Sequence, residues 1–110
     1  MDKQEIMSDP RVAMIAEATG NAPLDAVADM VIDVIEETGV TPDVALDRGV
    51  RVARELAFTV AETAHKVIDA IGWPAGWPVE QKARVEAIWA MVDRWRAAGI
   101  RPSWEQSVTV

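Results

Sequence analysis

The feature that most constrains this chain is a repeat across residues 46–71. Leu46, Val50, Ala53, Ala57, Val60, Ala64, Val67 and Ile71 are apolar or small, and they follow at steps of 4, 3, 4, 3, 4, 3 and 4 residues. An α-helix brings residues three and four apart onto one side, so this is the seam of a long helix packed lengthwise against another. Directly after it comes a tryptophan-proline turn, Gly72-Trp73-Pro74-Ala75-Gly76-Trp77-Pro78, and then a second helical stretch. The pattern predicts an all-α fold: a small bundle of about four helices built around a long helical hairpin, about 42–71 and 78–98.

The remaining boundaries follow from start and stop residues. A first helix is predicted over about 9–18, with Ser8 or Asp9 as cap, Pro10 in the first turn and Gly20 past the end. A second covers about 24–38 and stops at Gly39, with Leu24, Val27, Val31, Val34 and Ile35 as its buried stripe. The third starts at Pro42 and runs to Ile71, closed by Gly72. Gly49 could split it into 42–48 and 50–71, and the continuous helix is the preferred reading. The fourth runs from Pro78 to about Ala98, closed by Gly99, with Val85, Ile88, Val92 and Trp95 as its main stripe. Residues 1–99 are expected to form a single helical domain. Residues 100–110 are expected to be a C-terminal tail, from which Trp104 docks back.

Composition narrows the function classes. Half of the 110 residues are apolar, which argues against disorder. The absence of cysteine excludes disulfides, thiolate metal ligands and thiol catalysis. No apolar run reaches the ~20 residues that span a bilayer, and Met1-Asp2-Lys3-Gln4-Glu5 has no basic n-region, so a cytoplasmic location is expected. Eight arginines against three lysines, with abundant Ala and Val, fit a bacterial or phage source. Residues 1–47 hold eleven acids and two bases, a net of −9; residues 48–110 hold seven acids and nine bases, a net of +2. An acidic domain is repelled by phosphate, so neither direct nucleic-acid binding nor an anionic membrane is an expected partner.

Four groups of residues are candidates for function. On a helical wheel Phe58 falls opposite the apolar arc, beside Arg51, Arg54, Glu62, His65 and Asp69. An aromatic ringed by charge has the composition of an interaction hot spot. Trp89 likewise sits off the fourth helix's stripe, beside Lys82, Glu86, Asp93 and Arg96. Phe58, Arg51, Arg54, Glu62 and Trp89 are therefore the expected partner-binding set, with Phe58 as exposed anchor. Asp25, Asp29, Asp33 and Glu37 form an acidic stripe on the second helix, suited to a basic groove. Glu62-Thr63-Ala64-His65 is a Glu-x-x-His pair, similar to half the metal site of ferritin-like di-iron bundles. The commoner origin of such a pair is a solvated helix face, and no metal or other cofactor is expected. Trp73 and Trp77 are expected to plug the end of the bundle.

Other motif chemistry fails on its own terms. Ala45-x3-Gly49 has the spacing of a helix-turn-helix, but Glu55 would then be buried and no basic recognition face follows. There is no glycine-rich phosphate loop after a strand, and the single histidine lies near no nucleophile elbow. The expected function is a non-catalytic protein–protein interaction module, such as a small subunit or adaptor. The alternatives are a carboxylate-histidine metalloprotein and an acidic nucleic-acid mimic. A continuous third helix would be about 45 Å long, against about 34 Å for a compact globule of this length, so a homo-oligomer or a protein partner is expected.

Overall fold

The computed structural model describes residues 2–106. It contains α1 (Lys3–Ser8), α2 (Pro10–Ala18), α3 (Leu24–Thr38), α4 (Pro42–Ile71), α5 (Val79–Ala97) and α6 (Ser103–Gln106), with no strand among the described residues. The fold is all-α, and the long helix before the turn runs unbroken through Gly49. The chain divides into two compact units, Met1–Arg54 and Glu55–Val110, with the boundary inside α4.

The first unit is an aliphatic cluster. Ile6, Val12, Ile15, Ala16, Val27, Ala28, Val31, Ala45, Leu46 and Ala53 are buried together. The helices that deliver them start where the sequence can satisfy free backbone N–H groups. The Asp2 carboxylate accepts from Glu5 N at 2.9 Å, and the Asp9 carboxylate accepts from Arg11 N at 2.9 Å, with Pro10 occupying the first turn of α2. Gly39 ends α3 at a φ of 74°, a left-handed conformation that glycine adopts without strain. Of the predicted α3 stripe, Val27 and Val31 are buried. Leu24 and Val34 are each 41% exposed, because α1 and α2 cover only one side of the helix.

Gly49 has a packing reason. A Cβ placed there would lie 2.8 Å from Ile15 Cδ1, so its bare backbone is the seat for that side chain. Close by, one guanidinium ties α2 to α4. Arg11 Nη2 lies 2.7 Å from Asp9 Oδ2 and 2.8 Å from Asp43 Oδ1, and Nη1 lies 2.8 Å from Asp47 Oδ1. The side-chain and backbone hydrogen bonds from Arg11 hold the Asp9 carboxyl down at about 2.

The second unit pairs the later turns of α4 with α5. Its buried side chains are Ala57, Phe58, Ala61, Met91, Val92, Trp95 and Pro102. Trp95 meets the Phe58 ring edge-on at 5.5 Å between centroids. Here the predicted seam is corrected. Leu46, Ala53 and Ala57 are buried, but Val60, Val67 and Ile71 are 48%, 45% and 75% exposed. The helix α5 covers the side of α4 that carries Ala57, Phe58 and Ala61. Alanines there leave room for the large rings of Trp89 and Trp95, whereas the β-branched valines of the predicted seam do not. The predicted tail is partly ordered structure. Pro102 is buried, Ser103 N donates to Glu55 Oε1 at 2.7 Å, and Arg96 Nη1 meets Glu105 Oε1 at 2.6 Å. The predicted tail residues 107–110 lie outside the described residues. No helix among those described is long and apolar enough to cross a membrane.

Candidate functional site

Two helix faces that the sequence marks separately, that of Phe58 on α4 and that of Trp89 on α5, face each other within the second unit. Between them lies a cavity of about 510 Å³. Its base is Phe58, Ala61, Ile68 and Val92; its aromatic wall is Trp73, Trp89 and His65; its charged groups are Glu62, Asp69, Asp93 and Arg96.

The aromatic wall is fixed by packing and by one hydrogen bond. Trp89 Nε1 donates to the Ala61 carbonyl at 3.0 Å, which satisfies the indole and locks its plane against α4. Trp73 lies 5.8 Å from Trp89 between ring centroids, tilted by 54°, and His65 meets Trp89 edge-on at 5.8 Å. Of the two turn tryptophans, Trp73 therefore packs onto the helices. Trp77 lies 6.1 Å from Trp73 and remains 42% exposed. The ammonium of Lys82 sits 5.7 Å from the Trp73 centroid, so this ring already takes a cation.

The charge balance of the cavity is acidic. Three carboxylates line it against one guanidinium, and that guanidinium is engaged. Arg96 stacks over Phe58 at 5.3 Å and is bound to Glu105, which raises its pKa and lowers that of Glu105. His65 Nδ1 lies 3.4 Å from Asp69 Oδ2, and both side chains are largely exposed. Glu62 Oε1 lies 3.2 Å from Lys66 Nζ.

The predicted partner-binding set is thus partly assembled and partly corrected. Phe58, Glu62 and Trp89 converge on one cavity, which His65 also lines. Phe58 is only 2% exposed, so it is the pocket's base and part of the core rather than a protruding anchor. Arg51 and Arg54 fall in the first unit, the former exposed and the latter half-buried. The acidic stripe Asp25, Asp29, Asp33 and Glu37 is exposed along α3, with Asp29 held by Lys3 at 3.0 Å. Glu62 and His65 share the cavity. No group of three or more His, Cys, Asp or Glu side chains is placed to hold a metal ion among the described residues. Sequence reasoning missed Ile68 and did not join Asp93 and Arg96 to Phe58. Spacing along α5 joins Asp93 and Arg96 to Trp89 only; their approach to Phe58 depends on how α5 packs against α4 and has no signal in the sequence. No known protein family matches the chain, and no curated protein or solved structure is significantly similar to it.

Proposed function

We propose that this chain is a non-catalytic protein–protein interaction module, a small subunit or adaptor, whose pocket receives a basic side chain of its partner. The observation that supports this reading is the lining of the α4–α5 cavity: indole faces from Trp73 and Trp89 beside the carboxylates of Glu62, Asp69 and Asp93. Aromatic faces attract an organic cation through the ring quadrupole, and carboxylates neutralise it. A volume of about 510 Å³ is within the range of small-ligand pockets. A lysine or arginine side chain fits this chemistry best, because its stem covers indole while its head meets carboxylate. The same lining holds no hydroxyl, thiol or amine that could act as a nucleophile.

The test uses the pocket's own tryptophans. Titration with N-acetyl-arginine amide and with short arginine-containing peptides should change tryptophan fluorescence, and matched glutamate peptides should not. Trp89→Leu or Asp93→Asn should weaken the response at least about tenfold, on the scale of one lost cation–π or charged contact. No response at millimolar peptide would refute the reading. A stoichiometric response to Zn²⁺ or Mn²⁺ that disappears in His65→Ala would replace it with the carboxylate-histidine alternative.

A further inference from the structure

The pocket is lined by a cation of the chain's own. Arg96 lies over the Phe58 ring at 5.3 Å, at the base of the cavity that the proposed function gives to a partner's basic side chain. A guanidinium therefore already stands beside the ligand's place, next to the carboxylates that a ligand needs. Asp93 is three residues before Arg96 on α5, and Glu62 is one turn after Phe58 on α4. Of the lining acids, Glu62 is shared with Lys66 at 3.2 Å and Asp69 lies 3.4 Å from His65. That leaves Asp93 as the carboxylate with most to offer a ligand, and it is the one nearest to Arg96 in sequence. Left to these groups, the guanidinium would neutralise them, and the pocket would be closed to an outside cation by its own arginine.

What opposes this stands outside the cavity. Arg96 Nη1 donates to Glu105 Oε1 at 2.6 Å, and Glu105 is not among the lining residues. It belongs to α6, which has anchors of its own on the second unit. Pro102 is buried, Ser103 N donates to Glu55 Oε1 at 2.7 Å, and Arg101 Nη1 donates to the Arg96 carbonyl at 2.7 Å. The hydrogen bond from Arg96 is the chief cause of the lowered Glu105 pKa, and the bond to Glu105 is the chief cause of the raised Arg96 pKa. Asp93 and Glu62 add to the latter by charge at a distance only.

We infer that Glu105 sets the cation preference of the pocket as a positioning residue: it ties down Arg96 and so leaves Asp93 and Glu62 to the ligand. The inference rests on the cation-binding reading and adds to it a residue that does not meet the ligand. Charge around the cavity agrees. With Arg96 neutralised by Glu105, the acids Glu62, Asp69 and Asp93 face the ligand unopposed; with Arg96 released, a guanidinium competes for them from inside.

Fluorescence titration of the full chain with N-acetyl-arginine amide tests this. Glu105→Gln keeps the size of the side chain and removes its charge. It should weaken binding at least about tenfold, on the scale of one charged contact, although residue 105 lies outside the cavity. Adding Arg96→Met should restore binding, because no guanidinium is left to take Asp93. Measured as a cycle, Glu105→Gln should change affinity by less than about twofold in the Arg96→Met background. A merely structural role gives the opposite result, since two changes at one ion pair then damage the pocket at least as much as one. Helical circular dichroism should be the same in every variant. The inference is overturned if Glu105→Gln binds like the unmodified chain, if it loses its helical signal, or if the double variant binds no better than Glu105→Gln alone. Failure of the cation reading looks different: the unmodified chain then gives no response, and the inference falls with it.

Discussion

The two units bury surface with different materials. Up to Arg54 the core is aliphatic: ten buried side chains from α1, α2, α3 and the start of α4, with Ile6, Val12 and Leu46 almost wholly enclosed. From Glu55 onward the core is short and aromatic. Phe58 and Trp95 meet edge-on, a few alanines separate the helices, and Trp73 and Trp89 are only half-buried around a cavity. A cluster of branched aliphatics fills its space and leaves little to bind. Large flat rings on two helices cannot close every gap, and what remains is a pocket with π-faces and carboxylates. The part of the chain with the aromatic core is therefore the part with the candidate site.

The largest effect is expected from removing a principal side chain of either core. Phe58→Ala should cost about 3–5 kcal/mol, because the Trp95 edge and the Arg96 guanidinium both lose their partner and a cavity opens. Leu46→Ala should cost about 2–5 kcal/mol in the aliphatic cluster. Denaturant unfolding gives the totals, and native-state hydrogen exchange locates them. The Phe58 change should strip protection from α5 and spare α1 and α2, while the Leu46 change should do the reverse. Equal loss of protection everywhere would mean that the two units unfold as one, and the contrast would then describe packing but not energetics.

The same contrast explains what could be read from the sequence. Helix limits were legible because they depend on single residues: Pro10, Gly39, Pro42, Gly72 and Gly99 each start or stop an element near its predicted place. The capped start of α1 was also written in the chain, as Asp2 three residues before Glu5, but six residues carry no helical period to notice. The covered face of α4 was not legible. Ala57–Ala61 and Val60–Val67 are both uncharged rows on one helix, and periodicity does not say which one a neighbour takes. The choice depends on the volumes brought by α5, where Trp89 and Trp95 need small residues opposite. The pocket followed the same logic. Phe58, Glu62, His65 and Trp89 were each identifiable, but their convergence depends on that packing.

Each unit also holds an ion pair that acid should weaken. The folded-state value of Asp9, about 2, is below the ordinary carboxylate value of about 3.9, so the Arg11–Asp9 pair stabilises the folded chain fully above about pH 5. That contribution disappears as pH falls toward 2. Arg11→Met should therefore lower the denaturant midpoint at pH 7 and converge with the unmodified chain near pH 2. In the second unit Glu105 is also lowered by Arg96, so Arg96→Met should show a loss of the same sign. A deficit in Arg11→Met that persists unchanged at pH 2 would assign the effect of Arg11 to the packing of its stem, not to its charge.

The smallest expected effect is at Gly49, and it tests how tightly the aliphatic cluster is fitted. Alanine in a helix interior is favoured over glycine by about 1 kcal/mol, so Gly49→Ala gains that amount from the backbone alone. Against it, the new Cβ would lie 2.8 Å from Ile15 Cδ1, a contact that some atom must relieve. The atom is the far end of a side chain, so a rotation of Ile15 suffices. Ile15 is 2% exposed, however, and a distorted rotamer in a filled core costs about 0.5–1.5 kcal/mol. The two terms are of equal size, and Gly49→Ala should change stability by less than about 1 kcal/mol. Ile15→Val removes Cδ1 at a cost of about 0.5–1.5 kcal/mol on its own. In the double variant the clash is gone and the helix gain remains, so the pair should be more stable than the sum of the single changes by about 0.5–1 kcal/mol. Strict additivity in that cycle would show that the cluster has room to spare at Gly49, and that the glycine is not there to seat Ile15.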